Sequence, residues 1–336
     1  CIRLYQQRED SEWVLTDVLE GIHTRTVRTV EFAPLCTTYS ILASASFDGT
    51  VAIWEYTGRQ DRLLKESPAE EDWECTAQLE GHDNEVKCVT WNSTSTLLAT
   101  CGRDKTVWIW ECALPGQIVG NDSDWECLAV LHGHEGDVKC VQFAPSHQQW
   151  GDGDEILLSC GYDGKICIWA EDAGEWYCAS ALQEKTTPTI TMWSLALAPG
   201  GVRLMSGLGD GTIQIYKAYS SEEKRQLSDC EEGSNGMWKC VGRLPHAHQG
   251  EVYSVAYAPS KAGHGRWASC GADGVLQVYR EAMTSTSDAP KFSLESAATS
   301  PEQQSEWNHV TWHPYNGSIL ATAGDDGAVR IWKYGQ

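Results

Sequence analysis

A chain of 336 residues with 41% hydrophobic and 21% charged side chains carries enough apolar material for a packed core, which excludes wholesale disorder. Its formal net charge of −22 removes the basic footprint a phosphate-backbone binder needs, so no direct nucleic-acid partner is expected. No apolar run approaches the roughly 20 residues that span a bilayer and no secretory signal pattern is present, so no membrane partner and a reducing compartment are expected.

In chain order, the sequence opens with Cys1-Ile2-Arg3-Leu4-Tyr5, a short alternating strand, followed by a second from Trp13 to Leu19. From residue 21 a unit recurs six times. Each begins with an alternating strand, as in VRTVEFAP, VKCVTWN, VKCVQFAP, WSLALAP, VYSVAYAP and HVTWHP. There follows a frame in which Ser or Thr stands four residues before an Asp, and Trp or Tyr six after it. The sets are Ser44/Asp48/Trp54, Thr100/Asp104/Trp110, Ser159/Asp163/Trp169, Ser206/Asp210/Tyr216, Ser269/Asp273/Tyr279 and Thr322/Asp326/Trp332. The frame reads as strand, tight D-G or D-K turn, strand. A fourth strand opens with Trp in WECTAQL, WECLAVL, WYCASAL and WKCVGRL.

Four short antiparallel strands per unit make the blade of an all-β propeller. The expectation is one domain over 1–336 with seven blades. Six repeats fill 21–336, and 1–20 is the remnant of a first blade that begins at its third strand, with Tyr5 in the aromatic position, as in an N-terminally truncated propeller. Repeat spacing above the roughly 40 to 45 residues of a minimal unit predicts loop insertions near 57–72, 112–124, 218–237 and 282–306.

The frame, with Gly81-His82, Gly133-His134 and Gly21-x-His23, resembles the WD-repeat family. The resemblance implies a hydrogen-bonded chain tying each blade: His82, Thr100, Asp104 and Trp110 in one, His134, Ser159, Asp163 and Trp169 in the next. A Ser/His/Asp set also suggests hydrolysis, but an active site would not recur per blade, so no catalytic residue is expected. The fourth frame departs from the pattern, with Gln183 to Thr187 where Gly-His belongs, and the last has Ser305-Glu306.

The 14 cysteines contain no CxxC pair and follow the repeat: Cys75, Cys127, Cys178 and Cys240 each stand two after the Trp opening an outer strand. They read as small packing residues, and no metal or cofactor is expected. His132-Gly133-His134 and His246-Ala247-His248 look like metal pairs, but spacing suggests no third or fourth ligand. Most of the 16 Trp occupy frame positions and read as core.

Two positions per repeat are expected at the mouth of the central channel: the second residue of the V-x-x-V pattern and the residue before the frame Asp. They pair Arg28 with Phe47, Lys87 with Arg103, Lys139 with Tyr162, Trp193 with Gly209, Tyr253 with Ala272, and Asn308 with Asp325. Four of only 25 Lys and Arg fall here beside aromatic residues, which suits a partner offering carboxylates and an aromatic or aliphatic side chain. Against this, Lys87 and Lys139 could simply pair with neighbouring Glu85 and Asp137.

The segments LEGHDNEVKCVTW, LLATCGRDKTVWIWE, LASASFDGTVAIWE and GADGVLQVY give the chain a closer similarity, to the cytosolic iron-sulfur assembly WD-repeat family. That resemblance implies a non-catalytic docking platform in the cytoplasm, with the nucleus as a second location. Its implied partners are a small adaptor with a reactive cysteine, a HEAT-repeat scaffold and apo iron-sulfur clients, some ending in an acidic then aromatic tail. It gives Arg103, in the family's C-x-R-D-K motif, a functional role. A different WD-repeat adaptor, such as a ubiquitin-ligase substrate receptor or a histone-tail reader, is the competing expectation.

Overall fold

The computed structural model describes residues 1–8, 12–34, 40–56, 73–112, 125–144, 155–183, 186–219, 238–259, 265–282, 284–300 and 305–334. Their regular elements are β-strands, and no helix among them is long and apolar enough to cross a membrane. The chain divides into two compact units, Cys1–His132 and Gly133–Gln336.

In the first unit, β1 (Ile2–Gln7) and β2 (Trp13–Leu19) form a two-stranded antiparallel sheet. Then β3 (Val27–Phe32), β4 (Ile41–Ser46), β5 (Val51–Tyr56) and β6 (Trp73–Leu79) form a four-stranded antiparallel meander. The meander repeats in β7 (Val86–Trp91), β8 (Leu97–Gly102), β9 (Thr106–Cys112) and β10 (Trp125–His132).

The second unit continues it with β11 (Val138–Phe143), β12 (Ile156–Gly161), β13 (Lys165–Asp172) and β14 (Glu175–Gln183), then with β15 (Met192–Leu197), β16 (Arg203–Leu208), β17 (Ile213–Ala218) and β18 (Trp238–Leu244). Next come β19 (Ser254–Tyr257), β20 (Arg266–Cys270), β21 (Val275–Glu281) and β22 (Phe292–Thr299). A three-stranded sheet of β23 (Trp307–His313), β24 (Asn316–Gly324) and β25 (Val329–Lys333) follows. Among the described residues there are thus six sheets of three or four strands and one of two.

Residue choice follows position in the sheet. The second strands β4, β8 and β12 are buried at every residue, with neighbours on both faces, and they are built from Ile, Leu and small residues. Outer strands bury less and alternate: β6 and β10 carry polar residues between their apolar ones. The turn after each frame Asp needs left-handed backbone. Gly49, Gly164, Gly211, Gly274 and Gly327 supply it with φ between 64° and 90°, whereas Lys105 holds φ 70° without that freedom.

One irregularity recurs. Wherever a third strand pairs with a fourth, the register shifts just before the frame aromatic: at Ile53/Trp54, Ile168/Trp169, Ile215/Tyr216 and Val278/Tyr279, and at the equivalent Cys127/Ala129 step opposite Trp110. A bulge lets the outer strand bend around the bulky ring. The residue opposite the ring is Cys75, Cys127, Cys178 or Cys240, and its thiol points to the carbonyl two residues on, at 3.5 to 3.9 Å. These four cysteines are bulge residues.

The core lies between successive sheets within each unit. Leu79, Val86, Val89, Leu98 and Trp110 pack with Ile41, Val51 and Ile53 in the first unit. In the second, Leu158, Ile166 and Ile168 meet Leu195, Leu204 and Tyr216, and Met205, Ile213 and Ile215 meet Val252, Trp267 and Tyr279. Each such side chain fully buried contributes about 1.5–3 kcal/mol.

The insertion near 57–72, and most of those near 112–124 and 218–237, lie outside the described residues. The one expected at 282–306 is corrected. Phe292–Thr299 within it is the outer strand β22, paired with β21 from Val275↔Thr299 to Glu281↔Phe292. The FSLESAAT segment opens without Trp and has no Cys at its bulge, so it reads as polar loop.

Candidate functional site

The Ser/His/Asp sets form closed circuits. His82 Nδ1 is 2.6 Å from Asp104 Oδ2, and its Nε2 is 2.8 Å from Thr100 Oγ1, which also accepts the Trp110 indole N–H at 3.0 Å. His134, Asp163, Ser159 and Trp169 repeat this at 2.9, 2.7 and 2.8 Å, and His23, Asp48, Ser44 and Trp54 at 3.2, 2.8 and 2.9 Å. The indole donates to the hydroxyl, and the two ring nitrogens of the His are matched by that hydroxyl and by the carboxylate, so every polar group of the circuit has a partner. Ser44, Thr100 and Ser159 have no solvent exposure. A hydroxyl occupied by an indole and closed to water has no route to a substrate, so these sets are structural ties.

Burial alone would raise the Asp104, Asp163 and Asp273 carboxyls, but hydrogen bonds and charge from His82, His134 and His248, with backbone N–H groups, outweigh it and hold them below the usual range. Asp48 is held at about 2; burial opposes, and bonds from Thr50, Thr24 and His23 prevail. The glycine of each Gly-His pair is a packing requirement: a Cβ on Gly81 would stand 2.5 Å from the Trp108 ring, and one on Gly133 2.8 Å from Trp169.

Two blades carry Tyr in place of Trp, and their wiring changes. The Tyr216 hydroxyl donates to Gln214 Oε1 at 2.5 Å, and Tyr279 to Gln277. His248 still joins Asp273 to Ser269, at 2.9 and 2.8 Å. The fourth frame has no such His: Ser206 Oγ is buried without a hydrogen-bond partner, and Gln183 donates instead to the Asp163 carbonyl at 3.0 Å. In the last frame Ser305 Oγ accepts the Asp326 backbone N–H at 3.2 Å, Arg330 pairs with Asp326, and Trp332 keeps its bond to Thr322 at 2.9 Å. Among the described residues no three His, Cys, Asp or Glu side chains group as a metal site.

The first unit brings Phe47, Lys87 and Arg103 together around Glu85, with Arg25 added. Arg25 Nη2 is 2.7 Å from Glu85 Oε1, Lys87 Nζ 2.6 Å from Oε2, and Arg103 Nη1 3.8 Å from Oε2. Lys87 Nζ lies 4.2 Å from the Phe47 ring centroid and the Arg25 guanidinium 5.9 Å. Glu85 is held at about 2 by the Lys87 and Arg25 hydrogen bonds. Three cations against one carboxylate leave surplus positive charge. Lys87 does pair with Glu85, as the competing expectation had it, but the pair does not consume Arg103. The Arg103 side chain is 55% exposed, its only ion pair among the described residues is the long one, and its backbone N–H is anchored on the Glu85 carbonyl at 2.9 Å. Arg28 on β3 is half-buried and lies outside this set of contacts. Arg25 has no counterpart in the two-position pattern; only its place in the loop before β3 could have flagged it.

The second unit brings together Lys139, Tyr162, Trp193 and Tyr253. Lys139 Nζ lies 3.9 Å from the Tyr162 ring centroid and 4.9 Å from that of Trp193. Trp193 meets Tyr162 edge to face at 5.7 Å and Tyr253 at 4.9 Å. Cations over aromatic faces are held by the ring quadrupole, about 0.5–2 kcal/mol each.

The family model for the WD domain, G-beta repeat, matches residues 14–55, 73–111, 125–170, 238–280 and 301–333. The all-β sheets are therefore blades of a WD-repeat propeller, a fold that typically serves as a non-catalytic scaffold. The chain is 30% identical to a probable cytosolic iron-sulfur protein assembly protein 1 of Neurospora crassa, over 94% of this chain and 85% of that protein. It is 35% identical to one of Candida glabrata, over 99% and 89%, and 33% identical to one of Scheffersomyces stipitis, over 94% and 85%.

Proposed function

Because the chain belongs to the cytosolic iron-sulfur protein assembly protein 1 family of WD-repeat propellers, we propose that it is a non-catalytic scaffold of cytosolic iron-sulfur cluster delivery, docking partner and apo-client proteins. The observation that carries this reading is the Arg103 cluster. A guanidinium fixed at its backbone, exposed at its tip and backed by Arg25 and Lys87 is suited to bind a carboxylate in bidentate fashion. Its partners in this reading are a small adaptor with a reactive cysteine, a HEAT-repeat scaffold and clients with acidic tails. It acts in the cytosol, with the nucleus as a second location, and binds neither nucleic acid nor membrane directly.

In this reading Arg28, Phe47, Lys87 and Arg103 of the first unit bind partners, and Lys139, Tyr162, Trp193 and Tyr253 of the second unit do so as well. The sheet β1–β2 is read as the third and fourth strands of a seventh repeat. Its register shifts between Leu4 and Tyr5, the step at which the other third and fourth strands shift before their frame aromatic.

The test is capture of a short peptide ending in an acidic residue and Trp by the purified chain. Arg103→Glu should abolish capture while the thermal transition is unchanged. Capture that survives Arg103→Glu defeats the site.

A further inference from the structure

The far end of the aromatic run in the second unit has a charge opposite to that of the Arg103 cluster. The Tyr253 hydroxyl donates to Glu306 Oε2 at 3.0 Å. The Asp325 backbone N–H donates to the Glu306 carbonyl at 3.1 Å and Glu251 stands two residues before Tyr253, and burial first, then Glu306, Glu251 and Asp325, raise the Tyr253 phenol. Asp325 accepts a hydrogen bond from Asn308 Nδ2 at 2.5 Å, a neutral partner that leaves its charge in place. Among the described residues no lysine or arginine forms an ion pair with any of the three. In the four blade circuits and at Glu85, by contrast, carboxylates are matched by imidazoles or cations.

The same aromatic run already holds a cation at its other end, where the Lys139 ammonium sits over both Tyr162 and Trp193. The Trp193 indole N–H is buried without a hydrogen-bond partner, and the backbone facing it is Gly209, where a Cβ would stand 3.5 Å from Nε1. Tyr253 and Glu306 are both partly exposed. An indole and a phenol at 4.9 Å and an interplanar angle of 72°, with a carboxylate at the phenol's tip, present an aromatic face and an anion side by side. A planar guanidinium uses both at once: it stacks on a ring and donates two parallel hydrogen bonds to a carboxylate. An ammonium, a point charge with a tightly held hydration shell, gains less from such a site.

We propose that Trp193, Tyr253 and Glu306, with Glu251 and Asp325 beside them, form a seat for an arginine side chain of a protein partner. The sign of its charge makes this site independent of the Arg103 cluster, which takes carboxylates.

The experiment is a titration of the full chain with the acetylated, amidated peptide Gly-Arg-Gly, following the Trp193 indole N–H resonance, which Trp193→Phe identifies by its loss. The expected result is a saturable shift that the citrulline counterpart does not produce and that Glu306→Gln weakens at least fivefold. Glutamine at 306 still accepts the Tyr253 hydroxyl, so near-ultraviolet circular dichroism should match the parent. A shift as large with citrulline, or one unchanged in Glu306→Gln, overturns the seat. No shift up to the solubility limit of the arginine peptide does the same. A lysine peptide binding as tightly overturns the choice of arginine, and a Gly-Glu-Gly peptide that moves the resonance instead shows that this end also takes acids. The acidic-tail capture test reads Arg103 with a different peptide, so either proposal can fail alone.

Discussion

At the scale of single residues, the same side chain has opposite worth in two blades. Ser159 accepts the Trp169 indole and is hydrogen-bonded to His134, so removing its hydroxyl leaves two buried polar groups without partners. Each costs about 1–3 kcal/mol. Ser159→Ala should therefore destabilise by about 2–6 kcal/mol in urea unfolding. Ser206, at the equivalent position, has no partner to lose. Ser206→Ala should lie within about 0.5 kcal/mol of the parent, or be stabilising. Similar losses for the two would mean that the circuits do not hold the blades. Arg103 is the reverse case, functional and not structural. With its side chain more than half exposed and one long ion pair, Arg103→Ala should shift stability by less than about 0.5 kcal/mol. Its affinity for an acidic-aromatic peptide should fall roughly 30-fold, read by titration calorimetry.

At the scale of elements, the turn between second and third strands shows what the repeat demands and where one blade departs from it. Five blades meet the left-handed position with Gly; the β8–β9 turn uses Lys105 at φ 70°, two residues after Arg103. Lys105→Gly should relieve that strain and stabilise by about 0.5–1 kcal/mol, seen as a higher thermal midpoint. Equal midpoints would show that the lysine side chain returns what its backbone costs. The blades were legible in the sequence because each frame residue has a job that only one or two residue types perform: an indole or phenol for the core, a small hydroxyl to receive it, Asp to cap the turn. β22 was hidden because its outer-strand marks, Trp and Cys, are absent, and the packing of Phe292 against Trp267 is a tertiary fact. The candidate site was legible by residue type alone. Lys87 and Arg103 stood out as cations in an acidic chain, but their convergence on Glu85, and the arrival of Arg25 from another loop, depend on distances between strands that no local pattern encodes.

At the scale of the whole molecule, four blades lock a carboxylate the same way, so acid should attack them together. Asp48 is held at about 2, and Asp104, Asp163 and Asp273 are also held below their ordinary value. Because the folded values lie below the unfolded one near 3.9, these groups bind fewer protons when folded. Their stabilisation is complete above about pH 4 and is lost as the pH falls toward about 2. The net charge of −22 pushes the other way, since protonating exposed carboxylates over the same range relieves self-repulsion. The buried circuits should dominate, because salt screens exposed charges over about 10 Å at 0.1 M and barely touches a carboxylate hydrogen-bonded inside a blade. The thermal midpoint in 0.1 M salt should therefore hold from pH 7 to about 5 and drop steeply below 4. Asp163→Asn, neutral at every pH, should start with a lower midpoint at pH 7 and show a shallower acid drop. A variant whose acid profile parallels the parent would place the acid sensitivity outside the blade circuits.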